Sequence, residues 1–107
     1  MEILFPTVVV IAGFNGAGKS TAAEALLPEF GIDTYLDADA FARALSDDPA
    51  RAAVRAGRIM RAQIDRLRVS MENFALETTL SGRSLRSTLA DLHTAGYRSR
   101  LLYLWLP

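Results

Sequence analysis

Residues Gly13–Ser20 read Gly-Phe-Asn-Gly-Ala-Gly-Lys-Ser and match the pattern G-x-x-x-x-G-K-[S/T] at every fixed position. A short β-branched run, Thr7–Ala12, precedes the motif, and a helix-favouring stretch follows from Lys19. Glycines let such a loop curl until its backbone N–H groups converge on phosphate oxygens. The positive end of the following helix dipole also favours an anion. The stretch therefore predicts a phosphate-binding loop between a buried strand and a helix.

Two side chains of this loop suit a nucleoside triphosphate with its Mg²⁺. Lys19, the only lysine in the chain, can reach the β- and γ-phosphates, and the Ser20 hydroxyl is an oxygen ligand for Mg²⁺. We therefore predict that the loop binds a nucleoside triphosphate with Mg²⁺. The residues expected to bind the nucleotide are Gly13, Asn15, Gly16, Ala17, Gly18, Lys19, Ser20 and Thr21.

The rest of the chain alternates strand and helix patterns. Strands are predicted over residues 34–37, 73–78 and 98–106, and helices over 40–45, 49–70 and 84–95. Within the long helix, an apolar stripe is expected at Ala53, Ala56, Met60, Ile64, Leu67 and Met71. Because strands that alternate with helices require βαβ crossovers, the pattern predicts an α/β fold. The expected architecture is a P-loop NTPase-type parallel sheet with flanking helices.

Composition excludes several classes of protein. The chain has 107 residues, enough for a single domain over residues 1–107, and its 12 basic and 12 acidic residues give a formal net charge of +0. Nucleic-acid binders normally carry a basic excess, so no nucleic-acid partner is expected. Without cysteine there is no disulfide or thiolate metal site. No apolar run approaches the roughly 18 residues of a membrane span, so we predict a cytoplasmic enzyme without membrane contact.

Acidic residues follow the second predicted strand as Asp37-Ala38-Asp39. Because carboxyl ends of parallel strands meet at one sheet edge, this pair should lie beside the phosphate loop. Phosphorylation of a hydroxyl needs a carboxylate that accepts its proton, and this is the only acidic pair at a suitable strand end. We assign Asp37, with Ser20, to the magnesium site. The alternative is that the aspartates form a loop and cap the next helix.

A polar strip follows the third predicted strand at the same edge. It includes Glu77, Thr79 and Arg83, which could contact a hydroxylated, phosphorylated substrate. The Arg83 guanidinium offers two parallel donors to a phosphate. The alternative is a Ser/Thr turn followed by a helix cap.

Taken together, these segments resemble the bacterial zeta toxin family. The resemblance is carried by Gly13–Ser20 (GFNGAGKS), Asp37-Ala38-Asp39, Phe74–Arg83 (FALETTLSGR) and Leu102–Leu106 (LYLWL), in the order of the family. It implies a P-loop kinase that uses ATP and Mg²⁺ to phosphorylate a sugar hydroxyl of UDP-N-acetylglucosamine. In toxin–antitoxin pairs of this kind, a small helical antitoxin covers the nucleotide site.

The resemblance also implies roles for single residues. Lys19 and Ser20 match the phosphate and magnesium positions, Asp39 matches the catalytic base, and Glu77 and Thr79 match substrate contacts. The best-studied toxins carry an arginine where this chain has Ser81, and Arg83 lies two residues later.

The family continues past the fourth strand into further helices, a strand and an arginine-bearing lid. This chain is therefore expected to be truncated after its fourth strand, as the N-terminal part of a kinase. Loss of one arginine finger can cost about 10³–10⁵ in rate. The uncovered last strand is also an edge that favours a homodimer. Two alternatives are a P-loop kinase for another metabolite, nucleoside or antibiotic hydroxyl, and a nucleotide-binding, self-associating module without turnover.

Overall fold

Strands and helices alternate along the chain in the computed structural model, which describes residues 5–13, 18–45, 48–78 and 82–104. The strands are β1 (Thr7–Gly13), β2 (Tyr35–Asp37), β3 (Phe74–Thr78) and β4 (Arg98–Leu104). The helices are α1 (Lys19–Leu26), α2 (Ala38–Ala44), α3 (Pro49–Val69) and α4 (Gly82–Thr94), and a 3₁₀ turn covers Leu27–Phe30.

All strand pairs in this four-stranded sheet are parallel, and the strand order is β2-β3-β1-β4. The central strand β1 is buried on both faces, since Val8–Ala12 are all at most 2% exposed. A continuous β-branched run is typical of such a strand. The predicted α/β fold, with a parallel sheet and flanking helices, is confirmed.

Each face of the sheet packs against different helices. On one face, alternate residues of the sheet contact α3 and α4 through Ile64, Leu67 and Leu92. On the other face, Val9 and Ile11 pack against Ala23 of α1. Because side chains alternate along a strand, this division assigns each strand residue to the α1 face or to the α3/α4 face.

Helix α3 begins where the sequence indicates and buries a slightly different stripe. Asp48 Oδ1 accepts hydrogen bonds from the backbone N–H groups of Ala50 and Arg51 at 3.0 and 3.4 Å. The buried residues include Ala52 instead of the predicted Ala53, which is exposed. Met71 is 49% exposed because it lies past the helix end, where its φ of 56° turns the chain out of the helix.

Helix α4 begins earlier than predicted. Its first residues are Gly82 and Arg83, so the backbone of Arg83 lies in the first helical turn and not in a polar loop. At the other end, the Gly96 N–H donates to the His93 carbonyl at 3.0 Å with a φ of 103°, the left-handed conformation that glycine adopts readily.

Strand β4 lies at an edge of the described sheet and leaves two large side chains in solvent. Leu101 is 64% exposed and Tyr103 is 48% exposed. Both lie on the α3/α4 face of the sheet by their register with Val10 and Ala12. Self-association through this edge stays a prediction. Among the described helices, none combines the length and apolarity needed to cross a bilayer.

Candidate active site

Helix α1 begins at a glycine in a left-handed backbone conformation. Gly18 is the N-cap of α1 and has a φ of 85°, a left-handed conformation that side chains disfavour. Apart from its chain neighbours, no described residue has an atom within 4 Å of the position a Cβ would take, so the backbone conformation is the reason for glycine there. Glycine also has no side chain to accept from the first N–H groups of α1. Gly18 therefore supplies no side-chain cap that would compete with an anion for these donors.

Lys19 connects the two ends of this loop. Its Nζ donates a hydrogen bond to the carbonyl oxygen of Gly13, the last residue of β1, at 2.9 Å. The side chain is 7% exposed, which is unusual for a lysine. The ammonium group of Lys19, which the sequence predicts to bind the phosphates, therefore lies between the end of a central strand and the start of a helix.

Asp37 caps helix α2. Its Oδ1 accepts hydrogen bonds from the backbone N–H groups of Asp39 and Ala40 at 3.0 and 3.2 Å. Its Oδ2 lies 3.9 Å from Nη2 of Arg43, near the other end of α2. The capping alternative is thus confirmed for Asp37, and α2 begins at Ala38 because of it. Only Oδ2 is left free of the cap for another ligand.

Asp39 has a different environment from Asp37, although only one residue separates them. It lies exposed in the first turn of α2, and its backbone N–H group makes the capping bond. A carboxylate in the first turn is favoured by the helix dipole. Of the two aspartates, Asp39 is therefore the one whose carboxylate is not used to cap the helix.

Glu77 lies directly across from Asp37, because the β2–β3 register pairs these two residues. Burial of the Glu77 carboxyl raises its pKa, and the hydrogen bond and negative charge of Asp37 raise it further. A hydrogen bond from the Tyr35 hydroxyl and the positive charge of Lys19 act in the opposite direction on this pKa. The register of β2 and β3 thus places Asp37 beside Glu77 on the α1 side of the sheet, where the charge of Lys19 also acts on the Glu77 carboxyl.

The chain matches the sequence profile of a family described as AAA domain over residues 8–107. It belongs to the AAA domain family. The comparison with curated proteins found no match.

Several solved structures share the fold of this AAA domain. A candidate kinase from Chloroflexus aurantiacus has a TM-score of 0.77 at 18% identity, covering 96% of this chain and 61% of its own. The PezAT chromosomal toxin–antitoxin system of Streptococcus pneumoniae has a TM-score of 0.77 at 22% identity, covering 96% of this chain and 48% of its own. A gluconokinase from Sinorhizobium meliloti has a TM-score of 0.55 at 25% identity, covering 91% and 57%.

These structures confirm the P-loop kinase-like fold of the AAA domain. At 22% identity the PezAT likeness shows shared fold alone, so membership of the zeta toxin family stays a prediction. The chain spans about 61% and 48% of the first two structures' lengths. These likenesses by themselves therefore assign no activity to the whole protein.

Several predicted site residues of the AAA domain lie outside the described residues or are described by their backbone alone. Asn15, Gly16, Ala17 and Thr79 lie outside the described residues. Ser20 and Arg83 are described as helical backbone only, so the magnesium and phosphate contacts assigned to them stay predictions. Thr21 lies exposed in the first turn of α1.

Two residues of this site were missed by the sequence reasoning. Tyr35 shares the Asp37 face of β2 and contacts Glu77, and Arg43 pairs with Asp37 from the far end of α2. The strand period of two could have found Tyr35, because it places residues 35 and 37 on the same face. No sequence pattern indicated Arg43, because its ion pair with Asp37 depends on the residue at which α2 begins.

The described residues offer no cluster of three metal-binding side chains among His, Cys, Asp and Glu. Mg²⁺ bound with a nucleotide needs only one or two protein carboxylates beside phosphate and water oxygens. Asp37 Oδ2 and the Glu77 carboxyl are oxygen donors of the required kind. The residues present therefore fit a nucleotide-associated Mg²⁺ without a protein-only cage.

Replacement of Glu77 by glutamine should change how stability depends on pH. The raised pKa of Glu77 means that the native state binds the carboxyl proton more tightly than the unfolded state does. The free energy of unfolding of the wild type therefore falls as the pH rises from the ordinary carboxyl pKa through the raised one. Glu77→Gln is neutral throughout and should flatten this fall. We expect the variant to gain stability relative to wild type between pH 4 and pH 8 as pH rises, measured by urea unfolding. The exposed Glu29→Gln is the control, and a wild-type-like slope in Glu77→Gln would contradict the assignment.

Proposed function

We propose that this chain carries the nucleotide site and catalytic base of a kinase that transfers the γ-phosphate of ATP to a hydroxyl group of a small molecule. One observation carries the proposal. The buried ammonium of Lys19, at the start of α1, lies in the same electrostatic group as the Asp37–Glu77 pair at the ends of β2 and β3. A phosphate cradle and carboxylates at one sheet edge are the components that phosphoryl transfer requires.

In the proposed reaction the phosphates of ATP bind the backbone N–H groups at the start of α1. Lys19 moves its ammonium from the Gly13 carbonyl to the phosphate oxygens and stabilises their developing charge. Mg²⁺, when bound with the nucleotide, supplies further neutralisation of the same oxygens.

Asp39 accepts the proton of the acceptor hydroxyl. That oxygen then forms a bond to the γ-phosphorus while the bond to the β–γ bridging oxygen breaks, and ADP leaves. Asp37 contributes by fixing the first turn of α2, because its capping bond is made to the backbone of Asp39. Helix capping thus positions the base.

The resemblance to zeta toxins makes UDP-N-acetylglucosamine the first acceptor to test, with a helical antitoxin as the matching protein partner. The likeness to a gluconokinase at 25% identity favours a second candidate, a polyhydroxylated metabolite. Glu77 and Thr79 are proposed to contact the acceptor in either case.

The test combines the chain with ATP, Mg²⁺ and each acceptor in turn. We expect ATP to bind and ADP to form only when an acceptor is present, with a new phosphate ester seen by ³¹P NMR. Omission of the acceptor is the internal control for simple hydrolysis. Failure of the chain to bind ATP at millimolar concentration would overturn the proposal.

A further inference from the structure

The N-terminal half of α3 carries a basic stripe, formed by Arg51, Arg55 and Arg58. These residues are spaced four and three positions apart, and all three are exposed. Residues at this spacing lie on one side of a helix. Between Asp48 and Asp65 the chain has four arginines and no acidic residue. The stripe is therefore a concentration of positive charge in a chain whose formal net charge is +0.

The ion pairs of α3 differ between its two halves. In the C-terminal half, Arg61 Nη2 lies 3.3 Å from Asp91 Oδ2 of α4, so the fold itself supplies a counter-charge. In the N-terminal half, Arg51 Nε lies 3.6 Å from Oδ2 of Asp48, the residue that caps the helix. This half of α3, with its cap, offers one carboxylate to the three guanidinium groups of the basic stripe. The stripe can therefore accept acidic groups from another molecule.

Two residues beside the basic stripe suit a protein partner. Val54 is 58% exposed and lies three residues after Arg51 and four before Arg58, so it neighbours both. Gly57 is exposed in the middle of the helix, where glycine is less favourable than alanine. Apart from its chain neighbours and the backbone of its own helix, no described residue has an atom within 4 Å of the position a Cβ would take. Nothing in the described fold therefore requires glycine there, whereas it lets the backbone of a second helix approach closely.

Other occupants fit this surface less well. A second copy of the chain would place arginines against arginines, and like charges at short range oppose binding. A single-stranded nucleic acid gains affinity by stacking its bases on aromatic side chains, and α3 contains no aromatic residue. Contacts from phosphate groups would also leave Val54 without an apolar partner.

We propose that the outer face of α3, formed by Arg51, Val54, Arg55, Gly57 and Arg58, binds an acidic amphipathic helix of a partner protein. Carboxylates of that helix pair with the guanidinium groups, and its apolar side packs on Val54 and Gly57. Since α3 and α1 pack on opposite faces of the sheet, this partner leaves the nucleotide site open. The inference does not rest on the proposed kinase function, and the surface differs from the one that an antitoxin of the zeta toxin kind covers.

The test uses two synthetic peptides of about 20 residues, long enough to form a helix in water. One has glutamates three or four residues apart along one side with leucines beside them, and the other has glutamine in place of each glutamate. Binding is read by NMR at the backbone N–H groups of Val54 and Gly57. At low ionic strength we expect the acidic peptide to bind at least about tenfold more tightly than the neutral one. Equal affinities, or no shift at these two residues, would overturn the proposal.

Charge reversal identifies the arginines that bind the peptide. Arg55→Glu with Arg58→Glu should weaken binding of the acidic peptide by at least about tenfold. Arg86→Glu with Arg100→Glu, exposed on α4 and β4, makes the same change in net charge and should leave the affinity within about twofold. Equal losses in the two double variants would mean that net charge alone attracts the peptide, which contradicts a site on α3.

Gly57→Gln tests the close approach of a second helix. Glutamine favours a helix more than glycine does, so we expect a Tm at or above that of the wild type. The added side chain should nevertheless weaken peptide binding by at least about tenfold, because it obstructs the partner backbone. Ala90→Gln, exposed on α4, is the control and should bind like the wild type. Wild-type affinity in Gly57→Gln would rule out a closely packed helix.

Single-stranded DNA of about 12 nucleotides is the competing probe. We expect it to bind the outer face of α3 more weakly than the acidic peptide does. Tighter binding of the DNA, unaffected by Gly57→Gln, would replace the protein partner by a nucleic acid.

ATP affinity, measured with and without the acidic peptide, separates this surface from the nucleotide site. We expect the two values to agree. Loss of ATP binding when the peptide is added would contradict the assignment to the outer face of α3. Failure to bind ATP in either sample would overturn the kinase proposal and leave this one standing.

Discussion

Replacement of Lys19 by methionine is expected to lower acceptor-dependent ADP formation by at least about 10²-fold. The ammonium is the only cation that the described part of the chain buries, and it is placed beside the phosphate loop by its bond to the Gly13 carbonyl. Methionine has a similar length and no charge, so it removes charge stabilisation without leaving a large cavity. ATP affinity by calorimetry and the turnover rate measure the two parts of the loss.

The fold should survive this change. The lost hydrogen bond to Gly13 costs about 1 kcal/mol, and removal of a buried charge offsets part of that. Lys19→Arg should also fail, because a planar guanidinium cannot take the place of a compact ammonium at this buried position. Arg58→Met, on the exposed side of α3, is the matched control for loss of a positive charge. Wild-type turnover in Lys19→Met would remove the lysine from the mechanism.

The sheet and the start of α1 could be predicted because local sequence determines them. Gly18 is required by the backbone conformation and Lys19 by its charge, and the run Val8–Ala12 has no polar residue that could lie in solvent between two helical layers. The start of α3 was equally local, since Asp48 and the following proline form a cap by themselves.

The candidate site was less predictable, because its arrangement depends on tertiary contacts. Sequence alone could not show which of Asp37 and Asp39 caps the next helix, as both are acidic and both precede a helical pattern. The division follows from the position of α2, which starts at Ala38 and uses Asp37 as its cap. The pKa shift of Glu77 likewise needs the β2–β3 register, which joins residues 40 positions apart.

Replacement of Asp39 by asparagine is the sharper test of the chemistry. We expect the rate constant of phosphate transfer to fall by about 10²–10⁴, the usual contribution of a general base, while ATP affinity stays at the wild-type value. Asparagine keeps the shape of the side chain and cannot accept the proton. The capping bond to Asp37 uses the backbone N–H group of residue 39, so α2 should still form. Steady-state kinetics with saturating acceptor and far-UV circular dichroism measure the two expectations.

Asp37→Asn is the comparison that gives this result its meaning. Asparagine is as good an N-cap as aspartate, so the variant keeps the first turn of α2 while it removes the carboxylate facing Glu77 and Arg43. Under the proposed roles, Asp37→Asn raises the Mg²⁺ concentration needed for half-maximal rate, and Asp39→Asn does not. If Asp37→Asn lowers the transfer rate and Asp39→Asn retains it, the base is Asp37. In that case the helix cap itself takes the proton, and the exposed carboxylate of Asp39 is a surface group.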